Sequence, residues 1–180
     1  MTIETLAKQG RDRIHPGLAG IDVQRLKSMR DASLRVCFNR LEDTRYRLEF
    51  VARVRGREYI NDAAARTINS SWYSLESLQG GLVWIADAND QTADYSRLVP
   101  PALRKVRMLL VVGEEEDRMH YTFRSIIPTI ICCRTMTEAL RHAYCYQSED
   151  EVRVVYSPAC YNGHSTIEQG TMFRREVNEL

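Results

Sequence analysis

The sequence predicts an α/β fold in which a mostly parallel sheet is covered by helices on both faces, opened by a small N-terminal β-hairpin. Three features carry this reading. From Arg47 the apolar pattern has a period of two and runs into Gly56, as a hairpin does. A continuous apolar run at 82–86 and a second, largely apolar segment at 106–112 suit strands buried on both faces. Strand-like and helix-like segments then alternate to the end of the chain, the pattern of a parallel sheet with crossover helices.

The chain has 180 residues, of which 44% are hydrophobic and 27% charged, so it can bury a core without disulfide or metal staples. Residues 1–46 are read as a lead-in with one helix, and residues 47–180 as the folded domain. The first twenty residues are polar and include His15-Pro16-Gly17 and Gly20, a poorly ordered composition. Asp22 is placed to cap a helix reaching about Asn39, with Val23, Leu26, Met29, Leu34 and Cys37 as its apolar stripe. Leu48, Phe50, Ala52 and Val54 alternate with more polar neighbours, Gly56 turns the chain, and Glu58-Tyr59-Ile60 returns it. Asn61-Asp62 ends that strand and leads toward a helix over Ser70–Leu78, with Trp72, Leu75 and Leu78 on one side and Gly80-Gly81 as its stop.

The buried strand Leu82–Ala86 follows. Pro101–Lys105 then reads as a helix end, Val106–Val112 as the second buried strand, and Glu115–Phe123 as a helix. Thr129–Cys132 is a short strand, and Thr137–Tyr146 a helix with Ala139, Leu140 and Ala143 inward. Val152–Tyr156 is the last strand and Thr171–Leu180 the closing helix, with Phe173 and Val177 inward. Ligands in such folds bind beyond the C-terminal strand ends. Here those ends are Asn61-Asp62, Asp87 to Asp90, Gly113 to Glu116 and Ser157 to Cys160.

Composition excludes several functions. A net charge of +1 gives no global attraction for nucleic acid or an anionic membrane. The N-terminal stretch lacks the apolar core of a signal peptide, and no apolar run approaches the ~20 residues that span a bilayer. Five cysteines, at 37, 132, 133, 145 and 160, show no metal-ligand spacing and read as reduced thiols of a cytoplasmic protein. No GxxxxGK[ST] loop and no GxGxxG after a strand is present, so neither a phosphate cradle nor a dinucleotide site is expected.

Local clusters carry little chemistry of their own. Asp87, Asp90 and Asp94 could gather a hard cation, but a solvated loop with one helix cap explains them better. Glu114 to Asp117 are read as acids at a helix N-terminus, where negative charge is favourable. Cys160 and His164 invite a cysteine-nucleophile reading, which needs a lowered thiol pKa and a base within reach; a buried structural thiol is the expectation. His15, His120 and His142 are scattered, and no metal site is expected from them.

Taken in order, Tyr46-Arg47-Leu48-Glu49-Phe50, Tyr59-Ile60-Asn61-Asp62, Asn69 to Tyr73, Val83 to Ala86, Asp90, Asp94-Tyr95-Ser96, Ser157-Pro158-Ala159-Cys160 and Glu168 to Arg174 resemble the C-terminal domain of MurD-type Mur ligases. The resemblance covers roughly residues 34–180. It implies a Rossmann-like fold and an origin in enzymes that add D-glutamate to a peptidoglycan precursor, using ATP held by a central domain and a third domain for the UDP-sugar. Carried over on matching positions, it implies ligand-binding roles for Arg47, Asn61, Asp62, Asp90, Ser157 and Asn162, the last at a family serine that helps hold the D-glutamate carboxylate.

The departures fall on the chemistry. The family's loop lysine is Ala64, with Ala63, Arg66 and Thr67 at the neighbouring Ser, Thr and Asn positions, and its junction histidine is Tyr46. The Gly-Gly after the strand is Asp87-Ala88, and Asp-Lys-Gly is Asp90-Gln91-Thr92. Alanine cannot replace an ammonium beside an anion. The expectation is therefore a MurD-like domain with no catalytic residues, acting by binding or regulation near peptidoglycan synthesis, with a cell-wall ligase or a second copy as partner and no nucleic acid or membrane. Two other readings are a ligase subunit working in trans, for which ATP and Mg²⁺ would be the cofactors, and a small-ligand or nucleotide module lined by Asn61, Asp62, Asp87, Asp90 and Asn162.

Overall fold

The hairpin that opens the domain is β1 (Glu49–Val54) and β2 (Arg57–Asn61), paired antiparallel. The computed structural model describes residues 46–87, 92–113, 118–148, 150–161 and 163–180. The expected lead-in and its helix at 22–39, and the acidic run 114–117, lie outside them. After the hairpin come α1 (Ile68–Ser77), β3 (Gly81–Asp87), a 3₁₀ turn (Tyr95–Leu98), α2 (Val99–Lys105), β4 (Val106–Val112), α3 (Arg118–Phe123), β5 (Thr129–Cys133), α4 (Met136–Cys145), β6 (Val152–Tyr156) and α5 (Thr166–Asn178).

One six-stranded sheet has the order β1-β2-β6-β3-β4-β5, and every pairing except that of β1 with β2 is parallel. The expected mostly parallel sheet with a terminal hairpin is thus observed, as are helices on both faces. On one face Trp84, Leu109 and Val155 pack with Leu75 and Leu78 of α1, Ala102 of α2 and Phe123 of α3. On the other, Val83, Ile85, Leu110 and Val154 pack with Leu140 and Ala143 of α4 and Phe173 and Val177 of α5. Every residue of β3 is buried, which accounts for its unbroken apolar run.

Three expectations need correction. The hairpin alternation puts Leu48, Phe50, Ala52 and Val54 on one face, but a register shift lies between Phe50 and Ala52. Leu48 and Phe50 therefore join the Trp84 face, while Val51, Ala52 and Val54 join the opposite one; an inserted residue reverses the side-chain alternation. The segment after Asn61-Asp62 makes turns before the helix begins at Ile68, where the Thr67 and Ser70 side chains each bond the other's backbone amide. The closing helix starts at Thr166, ahead of the expected Thr171, with Ser165 and Glu168 capping it reciprocally.

Candidate functional site at the strand ends

Parallel strands β2, β6 and β3 lie side by side, so their C-terminal ends bring Asn61-Asp62, Ser157 and Asp87 to one edge of the sheet. The backbone ladder runs into the following loops: the Asp62 amide donates to Tyr156 O at 2.8 Å and the Ser157 amide to Ile85 O at 2.9 Å. Beyond it, the Asp87 amide donates to Pro158 O at 3.1 Å and the Ala159 amide to Ala65 O at 3.0 Å. Ala159 is held at φ 64° to make this turn, a left-handed conformation that costs a residue with a Cβ.

Asp62 is completely buried. Its carboxylate lies 3.2 Å from Nη1 of Arg47, whose side chain is itself 8% exposed. The Leu48 amide donates to Oδ1 at 3.1 Å, and the Ser74 hydroxyl of α1 donates to Oδ2. Burial pushes the Asp62 carboxyl above the usual carboxylate range; the Arg47 charge, the Ser74 and Ser157 hydroxyls and the Leu48 amide offset only part of that cost. Arg47 also donates to Ser70 O at 3.2 Å, and its guanidinium carbon stands 5.4 Å from the centre of the Tyr73 ring. The same Arg47–Asp62 environment surrounds the Tyr73 phenol, and burial raises it well above the ordinary phenol value.

Asn61 is buried with both ends of its amide engaged. Nδ2 donates to Gly170 O of α5 at 3.0 Å and to Glu49 Oε2 at 3.2 Å, and Oδ1 accepts from the Ala63 amide at 3.3 Å. The Ser157 hydroxyl is 2.8 Å from that of Ser71, which donates onward to Ala65 O at 3.1 Å. The Ser157 carbonyl accepts from the Trp84 indole at 2.9 Å.

Across β3, Asp87 is 3% exposed. Its Oδ2 accepts from the Tyr156 hydroxyl at 2.9 Å, and Gln169 Oε1 of α5 lies 3.0 Å from the same hydroxyl. Burial first, and then the nearby Asp87 charge, raise the Tyr156 phenol well above its ordinary value. The Cys160 thiol is buried and donates to Asp87 O at 3.3 Å, the structural role expected of it, while His164 is exposed. Asp94 caps the 3₁₀ turn through the Ser96 amide at 3.1 Å. Among the described residues no group of three or more His, Cys, Asp or Glu side chains could hold a metal ion.

Of the six residues carried over from the resemblance, Arg47, Asp62 and Ser157 share one buried network and Asn61 lies buried beside it with partners of its own, while Asp90 and Asn162 lie outside the described residues. The network includes partners that sequence reasoning missed: Ser71, Ser74, Tyr156, Gln169 and Gly170. A signal for the first two exists, because Ser70, Ser71, Ser74 and Ser77 recur at helical spacing, but Trp72, Leu75 and Leu78 dominated the pattern. In chemical terms the cluster is an anion cradle filled by the protein's own carboxylate. Arginine, amide and hydroxyl donors converge on Asp62, and each side chain that could grip a ligand already grips another part of the chain. Position 64, where an ammonium is the family expectation, presents Ala64, whose amide donates to Tyr46 O at 3.3 Å.

Comparison with known proteins places this geometry in context. No family model matches the chain. The chain is 31% identical over 183 aligned positions to UDP-N-acetylmuramoylalanine–D-glutamate ligase of Porphyromonas gingivalis, a match covering 100% of this chain and 40% of the relative. It is likewise 31% identical over 185 positions to the ligase of that name from Salinibacter ruber, covering 100% and 40%. The chain thus spans about two fifths of the length of these curated relatives. Among solved structures, folylpolyglutamate synthase from Thermotoga maritima superposes with a TM-score of 0.52 at 10% identity, covering 87% of this chain and 36% of that one. A pseudomurein peptide ligase type C from Methanothermus fervidus gives 0.50 at 11%, covering 83% and 32%. At such identities these two matches speak to fold alone.

Proposed function

We propose that this chain, a MurD-like Mur-ligase C-terminal domain in sequence and in fold, is a non-catalytic form of that domain which acts by binding, in a partner or regulatory role tied to peptidoglycan precursor synthesis. The observation that carries the reading is the self-satisfied cradle. Asn61, Asp62 and Ser157 spend their polar groups on Gly170, Arg47, Ser74 and Ser71, and Ala64 stands where the resemblance calls for lysine. Transition-state stabilisation needs donors aimed at charge that develops on a substrate. Here the converging donors are aimed at Asp62.

The test is affinity capture from the native host with the tagged chain, paired with an ATP- and D-glutamate-dependent ligation assay of the purified protein. Recovery of a cell-wall ligase together with no ligation is the expected result. Capture of no cell-wall enzyme overturns the binding role, and ligation by the purified chain overturns the non-catalytic one.

A second reading is favoured by one observation, the intact and buried Arg47–Asp62 pair. In it the chain is a ligase subunit completed in trans by separate ATP-binding and UDP-precursor-binding domains. Adding those domains then produces ligation that Arg47→Ala abolishes; an unchanged background rate removes this reading.

A further inference from the structure

We propose that Tyr46–Leu48 is a latched strap at the C-terminal end of β2, held shut by Asp62, which opens as a unit while the central sheet stays folded. The proposal is independent of whether the domain binds a cell-wall enzyme.

The geometry of the strap is unusual in two respects. Tyr46 and Leu48 are both in the left-handed region, at φ 62° and 46°, one on each side of Arg47. Neither is glycine, and such residues persist only where their surroundings over-determine them. Among the described residues the polar ties of the strap are few, and two of them meet at the Asp62 carboxylate. Arg47 Nη1 lies 3.2 Å from Asp62 Oδ1 and donates to Oδ2 at 3.5 Å, and the Leu48 amide donates to Oδ1. Further ties are the Tyr46 hydroxyl, 3.0 Å from Thr171 Oγ1, the Arg174 guanidinium 5.6 Å from the Tyr46 ring centre, the Ala64 amide on Tyr46 O, the Arg47 contacts with Ser70 O and the Tyr73 ring, and the Leu48 side chain, 1% exposed within the Trp84 face of the core.

The strap lies against the network and closes it. The Tyr46 ring packs so tightly on α5 that a Cβ on Gly170 would overlap its Cγ and Cδ2. Its carbonyl faces Ala64, and Arg47 spans from Asp62 to α1. One further sign marks the strap as a separable piece: Nε of Arg47 is buried without a hydrogen-bond partner among the described residues. That is an uncompensated cost in the closed state, and opening relieves it. Strain at two backbone positions and an orphaned donor therefore oppose the latch, whereas the central strands β3 and β4 are buried throughout most of their length. Local opening ahead of global unfolding is what such an imbalance produces.

Hydrogen exchange of the full chain, read amide by amide, tests this. The Leu48 amide reports the bond to Asp62 and the Ala64 amide reports the bond to Tyr46. In the unmodified protein both should exchange through an opening that depends little on denaturant, at least tenfold faster than the amides of β3 and β4. In Asp62→Asn the Leu48 and Ala64 rates should rise a further tenfold or more with β3 and β4 unchanged. Exchange of Leu48 and Ala64 only together with β3 and β4 in the unmodified protein overturns the proposal, and this measurement stands even if the variant does not fold. Unchanged Leu48 and Ala64 rates in a folded Asp62→Asn overturn it as well, because Asp62 is then no latch.

Discussion

Tyr59 is fully buried on the α4–α5 face, yet its hydroxyl has no hydrogen-bond partner among the described residues. A buried polar group left unpaired costs about 1–3 kcal/mol, so Tyr59→Phe should leave stability unchanged or raise it by about 1 kcal/mol; a lower midpoint in urea contradicts the assignment. Gly170 makes the opposite case. Because its missing Cβ is the space filled by the Tyr46 ring, Gly170→Ala should destabilise by about 1–3 kcal/mol through overpacking. Removing the ring in Gly170→Ala/Tyr46→Ala should recover part of that loss, which a double-mutant cycle measures. The two buried or half-buried acids respond to pH in opposite senses. Asp62 has a raised pKa in the folded state, so it binds its proton more tightly there than in the unfolded chain. Its contribution is therefore greatest below the ordinary value of 3.8 and declines as pH rises through the folded value. Glu58 is lowered, first by its hydrogen bond from Arg53 and then, against the cost of burial, by Arg153. Its contribution is complete above the ordinary 4.5 and is lost as pH falls through the folded value. Thermal melts across pH 3–7, an interval spanning both about-4 reference values, should lose acid-side sensitivity in Glu58→Gln and flatten on the rising side in Asp62→Asn.

At the scale of elements, two cations that look like surface charge in the sequence serve as helix ends. Lys105, at the end of α2, donates to the Leu75, Glu76 and Leu78 carbonyls at 3.0, 2.5 and 2.6 Å, closing the C-terminus of α1. Arg57 of β2 reaches the Tyr144 and Tyr146 carbonyls at the end of α4. Positive charge is favoured at that pole of a helix, so Lys105→Met should cost about 1–2 kcal/mol. Arg175, whose partner Glu176 is its chain neighbour on the exposed side of α5, should be replaceable by alanine within about 0.5 kcal/mol. Paired chemical denaturation curves check both. The elements themselves were largely legible, because buried parallel strands write continuous apolar runs and amphipathic helices write spaced ones. Their misplaced edges have specific causes. Ser165 and Glu168 carry the capping signature of α5, but Gly170 lies inside the helix, where glycine is a poor helix former, and the expected start moved past it. The reason glycine is kept there is the Tyr46 ring, a contact across 124 positions of chain that local pattern does not encode. The hairpin bulge is the same kind of case: alternation is visible in one strand, while the extra residue is defined only against its partner.

At the scale of the molecule, the sheet order joins parts distant in the chain. Sequence reasoning identified the class of fold and pointed to the strand ends, and the resemblance singled out Arg47, Asn61, Asp62 and Ser157. It could not show that Ser157 comes to lie beside Asp62, since that follows from β2 and β6 lying side by side. No helix among the described residues is long and apolar enough to cross a membrane. Trp84 is fully buried on the central strand β3, edge-on to Phe123 at 5.6 Å, with its indole bonded to the loop after β6. Its near-UV signal should therefore disappear in the same transition as the far-UV signal of the sheet, and separate midpoints would show that the two faces of the core unfold independently.

The placement of β6 has a bearing on synthesis. It is the last strand in the chain, yet it lies between β2 and β3. As the polypeptide leaves the ribosome, the hairpin and the β3-β4-β5 half emerge first, each with an open edge facing the gap that β6 must fill. Until Ser157 has cleared the exit tunnel, neither half can complete its backbone ladder, and the Asp62 amide and the Trp84 indole lack the Tyr156 and Ser157 carbonyls that later accept their hydrogen bonds. Such open edges invite pairing with other chains. Truncations that stop before residue 152 should accordingly be held by chaperones or precipitate, while chains extended through α5 bury both edges in a single late step.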